Sequence, residues 1–267
     1  MLKKFKPSSG RSFLSGYKNR HWDLENARRI YKNKPSNNLI FLLCRRFNWM
    51  QKYIKNNDLV VEIGCGIGAS KDFLKAKKII ITDLADSNWI DMKVDALNMP
   101  FKDNSVDVVV CSNLVHHIYS PIKLMKEISR VLKPNGYFLI QEINASLAMR
   151  AILVMTNHEG YNFNSDVFNE NEICNDPNDV WSANCAIPNM LFDDQEKFHK
   201  NIKFFKIISQ SHSEFFIFPL SGGVTAKMPM ISLSNKTLNL FNKIDKFLIR
   251  LSSNTFALQR QIALRKI

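Results

Sequence analysis

Residues 59–70 read LVVEIGCGIGAS, and the passage from an apolar run into glycines decides the fold. Leu59–Ile63 is short, β-branched and uninterrupted by charge until Glu62, the pattern of a strand buried in a parallel sheet. It runs into Gly64, Cys65, Gly66, Ile67 and Gly68, and KDFLKA after them reads as a helix. Glycines let a backbone approach a ligand closely, and a helix start offers unpaired N–H groups. A strand, a glycine turn and a helix in that order therefore mark a nucleotide-type site. Working outward, KIIIT at 78–82 reads as a second strand ending at Asp83, and Asp107–Cys111 as another. Pro121–Leu132 reads as an amphipathic helix with Ile122, Met125, Ile128 and Leu132 on one face. Pro134, Asn135 and Gly136 break it, and YFLIQEI opens the next strand. Strand and helix patterns alternate from 59 to 143, which predicts an α/β, doubly wound sheet.

The spacing narrows the ligand. A dinucleotide turn is G-x-G-x-x-G; here it is G-x-G-x-G, with Ala69 where the third dinucleotide glycine would stand. Glu62 lies two residues before the first glycine. A carboxylate there repels a pyrophosphate and attracts a cation. Asp83 is placed to accept hydrogen bonds from ribose hydroxyls. A cationic, ribose-bearing ligand without phosphate is S-adenosylmethionine.

EIGCGIG resembles the first motif of class I S-adenosylmethionine-dependent methyltransferases. VDALNMPFKDNSVDVVVCSNLVHHIYSPIKLMKEISRVLKPNGYFLIQE is similar to the consensus of their small-molecule branch, so the resemblance covers about residues 58–143. Asn135 departs from it, standing where the family has the first glycine of a KPGG turn; asparagine tolerates the left-handed backbone such a turn needs. The resemblance implies a Rossmann-like, seven-stranded, mostly parallel sheet. It implies that Glu62, Gly64, Cys65, Gly66 and Gly68 surround the methionine and ribose of the cofactor. Asp83 and Leu84 would meet the ribose, Asp95 and the Ala96 backbone the adenine amino group, and Asn113 both cofactor and substrate. Purely structural roles stand beside these: Asp95 capping a turn, Asp83 capping a helix, the glycines serving only a tight turn.

CSNLVHHIYSP at 111–121 puts His116 and His117 just beyond the fourth strand, on the ligand side. Histidine is the usual base near neutral pH. Three roles stay open for the pair: base, structural hydrogen bonding, and metal ligation. Adjacent side chains point apart, so only one is expected to face a substrate. No close HxD or HxxxH set accompanies them, so no metal is expected. Glu142, ending the fifth strand, is a second base candidate, or else half of an ion pair.

The rest of the chain is expected to choose the substrate. The core at 58–144 is preceded by a basic helical cap (1–57) and followed by a cap insertion (145–200). The last strands occupy 201–267, interrupted by a helical insertion at 219–255, all within a single domain. IKFFKII (202–208), continuing through EFFIF, reads as the sixth strand and FALQRQIALRKI (256–267) as a final antiparallel one. NDVWSANCAIPNMLFDD in the first insertion suits a carbohydrate, with Trp181 stacking on a sugar. Its alternative is Trp181 in the cap core and an asparagine excess that is compositional. In NKTLNLFNKIDKFLIRLSS, Leu240, Phe241, Ile244, Phe247, Leu248 and Leu251 form an apolar face ringed by Lys236, Lys243, Lys246 and Arg250. Such a helix lies on an anionic membrane or packs as part of the cap. LSGG and AIPNMLF also resemble methyltransferases of bacterial surface-polysaccharide gene clusters. That likeness implies methylation of a sugar in a glycan that is free, nucleotide-linked or lipid-linked, with O-methylation of a hydroxyl expected; N- or O-methylation of a lipid, another metabolite or nucleic acid is the alternative.

Composition bounds these readings. Residues 1–57 hold 14 basic and 2 acidic side chains and 201–267 hold 10 and 2, while 144–200 hold 3 and 9. Basic ends suit an anionic partner: a membrane surface, a phosphate-bearing substrate or nucleic acid. The [ND]PP[YFW] motif of base-methylating enzymes is replaced by SNLVHH, which counts against nucleic acid. Five scattered cysteines without a CxxC pair fit a reducing cytosol. No apolar run approaches the ~18–20 residues that span a bilayer, and the charged start has no apolar core of a secretory signal. The expected location is cytoplasmic, with peripheral contact at the inner face of the membrane. An interaction subunit on a degenerate methyltransferase fold is the non-enzyme alternative. The oligomeric state is left open.

Overall fold

The protein is described by a computed structural model covering residues 20–156, 159–224 and 230–267. The basic segment before Arg20 and part of LSGGVTAKMP lie outside the described residues. Seven strands form one sheet in the order β3-β2-β1-β4-β5-β7-β6. Their ranges are β1 Leu59–Glu62, β2 Lys78–Asp83, β3 Met92–Lys93, β4 Val106–Ser112, β5 Leu132–Ile143, β6 Phe205–Ser213 and β7 Gln259–Lys266. Only β7 runs against its neighbours. The doubly wound, mostly parallel sheet is therefore present, with β1 and β4 adjacent at its centre.

Alternation along the strands feeds two cores. Val61, Val109, Cys111, Ile140 and Ile262 join one, with Ile122, Met125 and Ile128 of α4 (Pro121–Val131). Val60, Val108, Val110, Leu139 and Ala263 join the other, packed by α1 (Arg20–Asn33) and α2 (Asn37–Asn48). Both faces of the central strands are thus buried, which is why LVVEI and VDVVV read as continuous apolar runs rather than alternating ones.

Several expected boundaries move. The helix read from KDFLKA is a single turn, α3 (Ser70–Phe73), because Leu74 turns extended and enters the core. The break at Pro134–Gly136 is a bulge inside β5: Val106 pairs with Leu132, and Val108 already pairs with Tyr137. Asn135 takes φ 63°, the left-handed backbone expected of it. A side chain on Gly136 would meet the Asp107 carbonyl at 2.8 Å, so the bulge admits no larger residue there. EFFIF does not extend β6. Glu214 takes φ 60° and ends it, and α8 (Ile217–Leu220) follows. Asp245 accepts from the amides of Phe215, Phe216 and Ile217, so a carboxylate holds this chain reversal where a ladder would otherwise continue.

The two insertions leave the sheet at the carboxyl ends of β5 and β6. α5 (Leu147–Thr156), α6 (Ile187–Phe192) and α7 (Gln195–Asn201) belong to the first, and α9 (Asn235–Leu251) and α10 (Ser253–Phe256) to the second. A bidentate pair between Arg46 of α2 and Glu214 (2.9 and 2.7 Å), both buried, ties the N-terminal helices to the end of β6. α9 turns Leu238, Asn242 and Asp245 inward. The apolar face read from the sequence is divided: Phe241 packs against Phe216, while Leu240, Phe247 and Leu251 are 58%, 61% and 64% exposed. Asp245 decides that orientation, since its carboxylate must reach the three amides it caps.

Candidate functional site

The glycine turn joins β1 to α3 at the centre of the sheet edge. Gly64, Gly66 and Gly68 take φ of 63°, 52° and 63°. At Gly64 a Cβ would stand 2.7 Å from Leu114 Cδ1, so neither backbone nor space accepts a side chain. The turn is fixed from three sides. Cys65 N–H donates to the Thr82 carbonyl at 3.0 Å, Gly66 N–H to Asp83 Oδ2 at 2.9 Å, and Trp89 Nε1 to the Gly66 carbonyl at 2.8 Å. Arg28 of α1 donates to the carbonyls of Ile67 and Gly68, and Leu24 lies over Gly66.

Each expected cofactor residue has a definite place. Glu62 is 2% exposed and accepts from the Ser70 hydroxyl. Burial pushes its carboxyl up to about 8, the Ser70 bond opposing and the Asp83 charge adding. Asp83 ends β2 and takes the Gly66 and Ala85 amides, one per oxygen, which leaves each oxygen a lone pair for a hydroxyl. Leu84 beside it is exposed. Asp95 accepts from Leu97 N–H at 2.8 Å, so its turn-capping role is present, and Ala96 is buried next to it. Asn113 takes φ 55° and donates its amide to the Gln141 carbonyl. Its side-chain Oδ1 is buried with no hydrogen-bond partner among the described residues.

A buried carboxyl that resists ionisation and an orphaned buried carbonyl oxygen both favour a ligand carrying cationic and N–H groups. Asp83 adds acceptors for hydroxyls. The cradle therefore fits S-adenosylmethionine, whose ammonium and ribose match these groups.

Beyond Asn113, Val115–His117 forms a single 3-10 turn. At three residues per turn the two histidines do not point apart as they would on a strand; their ring centroids are 4.1 Å apart. The rings lie side by side, where the sequence reading had adjacent side chains pointing apart. His116 is buried, with Nδ1 2.5 Å from Glu142 Oε1. Glu142 is fully buried and also accepts from Val115 N–H (2.6 Å) and Ile143 N–H (2.7 Å). That geometry suits a residue that orients His116 better than a base for a substrate. Burial opposes charge on both, but their mutual attraction prevails: His116 is pushed up to about 9 and Glu142 is held below its usual range. His117 Nδ1 lies 3.1 Å from the Ser182 carbonyl. A carbonyl only accepts, so Nδ1 carries the proton and Nε2 the lone pair. Burial and the neighbouring His116 charge hold His117 down at about 4.

The first insertion supplies what the sequence reading lacked. Glu159 brings a carboxylate 3.6 Å from His116 Nε2 and 3.9 Å from His117 Nε2. The buried Cys185 thiol donates to Glu159 Oε2 at 3.4 Å. Asn175 Nδ2 donates to the carbonyls of His116 and Ile118, and Asn184 N–H donates to the His116 carbonyl. These asparagines satisfy buried backbone groups and are not presented to a sugar. Trp181 meets His117 edge-on, centroids 6.5 Å apart, and is half-buried. No spacing in the sequence could have connected Glu159 to a histidine pair more than 40 residues earlier.

Residues 61–140 match the family model described as a methyltransferase domain. An uncharacterised protein of Methanocaldococcus jannaschii is 31% identical over 112 residues, covering 39% of this chain and 47% of that protein. The Bos taurus protein named Probable tRNA methyltransferase 9B is 31% identical over 100 residues, covering 32% of this chain and 21% of its own length. The chain spans less than half the length of these curated relatives. Among solved structures, a chain of the complex between the Haloferax volcanii Trm112 methyltransferase activator and a methyltransferase aligns over 93% of this chain and 95% of its own. Its TM-score is 0.51 at 14% identity, a likeness of fold.

Proposed function

We propose that this chain, whose residues 61–140 carry a class I S-adenosylmethionine-dependent methyltransferase domain, transfers a methyl group to a hydroxyl of a small molecule or glycan. The observation that carries the reading is the cradle: a left-handed glycine turn flanked by the buried carboxyl of Glu62 and the unpartnered Oδ1 of Asn113. Glu62, Gly64, Cys65, Gly66 and Gly68 hold the methionine and ribose part. Asp83 and Leu84 hold the ribose, and Asp95 with Ala96 the adenine. The cofactor supplies the electrophilic methyl. The chain's own task is to bring an acceptor oxygen to about 3 Å from that carbon, in line, and to keep water out. Helix α1 lies over the turn through Leu24 and Arg28, and the first insertion is bonded to the neighbouring histidine turn through Asn175.

Activation of the acceptor belongs at His117, whose Nε2 lone pair is set by the bond from Nδ1 to Ser182. His116 and Glu142 are positioning residues that hold the turn. Trp181, edge-on to His117, offers an aromatic wall beside the acceptor, which supports a sugar. The outward apolar face of α9, flanked by Lys236, Lys243, Lys246 and Arg250, supports peripheral contact with an anionic membrane and hence a lipid-linked acceptor.

The test is calorimetric titration with S-adenosylmethionine, followed by transfer of labelled methyl to fractionated glycans, glycolipids, RNA and small metabolites. Binding of one equivalent with label in a glycan fraction is expected. No binding refutes the enzyme reading, and label confined to RNA refutes the acceptor.

A further inference from the structure

The cluster around His116 and His117 has a property that proton chemistry does not require. Both rings are oriented through Nδ1, His116 by the carboxylate of Glu142 at 2.5 Å and His117 by the Ser182 carbonyl at 3.1 Å. Both Nε2 atoms then converge on one carboxylate, Glu159, at 3.6 and 3.9 Å. The three candidate ligand atoms all lie within 4.8 Å of one another. Metal-binding histidines characteristically donate their second ring N–H to a carboxylate or a backbone carbonyl, which fixes the tautomer and aims the other nitrogen. Here both histidines do so, with one partner of each kind.

Scale and chemistry agree with an ion at the centre. Ligand bonds of about 2.0–2.2 Å around a tetrahedral zinc put donor atoms roughly 3.3 Å apart. The two histidine-to-carboxylate separations exceed that by about 0.3 and 0.6 Å, and no two of the three ligand atoms lie more than 4.8 Å apart. The site is sheltered but not sealed: the side chains of His116, His117 and Glu159 are 4%, 16% and 14% exposed. Two imidazoles and one carboxylate select a first-row transition ion over magnesium or calcium, which prefer all-oxygen shells.

We propose that His116 Nε2, His117 Nε2 and the Glu159 carboxylate bind one divalent transition-metal ion of the zinc type. The ion takes the place of the Nε2 proton of His116, which leaves to solvent. Glu142 and the Ser182 carbonyl act as positioning groups behind the two histidines. Three protein ligands leave a coordination position open, as at catalytic zinc. If the methyl-transfer reading holds, that position is where the acceptor oxygen would sit; with the His117 Nε2 lone pair taken up by the ion, coordination rather than proton removal by His117 would make that oxygen a better nucleophile. The ligand geometry itself does not depend on that reading.

The experiment uses the full chain, stripped with chelator and titrated with zinc chloride against a chromophoric competitor, with cobalt(II) absorption as a second probe of nitrogen ligation. One equivalent is expected to bind. Glu159→Gln and His117→Gln should each lower affinity by at least about 100-fold. Glu142→Gln, which weakens the orienting bond together with the backbone bonds Glu142 accepts, should cost roughly 10–100-fold. His199→Gln, on exposed α7, should leave binding unchanged. Thermal unfolding of each variant identifies any that fail to fold, and Glu159→Asp and His117→Ala then replace them. Absence of saturable zinc binding overturns the proposal, as does native affinity in folded Glu159 and His117 variants. Titration with S-adenosylmethionine in parallel separates the two readings. Cofactor bound without zinc sinks only the ion, and zinc bound without cofactor sinks only the methyl-transfer reading.

Discussion

Replacing Glu62 by Gln should make the ligand-free protein more stable at alkaline pH while weakening the cofactor. The buried carboxyl is pushed from 4.5 to about 8, chiefly by loss of water. An acid whose folded pKa is raised holds its proton in the fold after the unfolded chain has released it. Its stabilising contribution is therefore complete below about 4.5 and is lost as pH rises to about 8. Each pH unit in that window costs up to ~1.4 kcal/mol, so the full span is on the order of 3–5 kcal/mol. Glutamine keeps the shape and an oxygen for the Ser70 hydroxyl, but it cannot ionise. In a chain of this size ~1 kcal/mol moves Tm by about 2–4 °C. Thermal unfolding of both proteins from pH 5.5 to 9 should show the gap in favour of Glu62→Gln widening to roughly 10 °C, then levelling off. Binding of S-adenosylmethionine should run the other way, since its ammonium favours the ionised carboxylate. Below pH 8 calorimetry in buffers of different ionisation enthalpy should detect a proton released on binding to native protein and not to the variant. A pH-independent stability gap would refute the reasoning, because it would mean Glu62 ionises in the fold as it does in water.

Other consequences can be checked with single substitutions. Asp83→Ala should abolish measurable cofactor binding in a folded protein, because Asp83 both accepts from Gly66 and faces the ribose position; unchanged calorimetric affinity would contradict this. Arg46→Met should cost about 3–5 kcal/mol by urea denaturation, since it strands the Glu214 carboxylate in a buried site, while Arg46→Met with Glu214→Leu should recover most of it. Phe247→Ser with Leu251→Ser should sharply reduce sedimentation with vesicles containing anionic lipid and leave unfolding within ~0.5 kcal/mol, because both side chains are exposed. Equal binding to neutral and anionic vesicles would remove the role of the flanking lysines.

The centre of the sheet and the glycine turn were legible because their causes are local. β-branched runs make buried strands, and a turn that must take positive φ selects glycine, or asparagine as at Asn135. The length of α3, the bulge in β5 and the end of β6 were not. Each is decided by a partner far away in sequence: the core that takes Leu74, the Asp107 carbonyl under Gly136, the Asp245 carboxylate at Phe215–Ile217. The site divides in the same way. Glu62, Asp83 and Asn113 follow from position at strand ends. Glu159 and the Ser182 carbonyl come from the insertion, where chain spacing says nothing about distance. The amphipathic pattern of α9 could not say that Phe241 turns inward while Leu240, Phe247 and Leu251 turn outward. Periodicity measures segregation of side chains, and a polar anchor set the direction.

The bonds from Asn175 and Asn184 to the backbone of His116 and Ile118 bind the fate of two regions that look separable. An exchange of residues 145–200 for the equivalent stretch of another protein, intended to change the acceptor, would also remove Glu159, the Ser182 carbonyl and both asparagines. On the proposed reading, substrate choice and reaction chemistry are inherited together in this chain. Redesign of its specificity has to treat the histidine turn and the insertion as one transferable module.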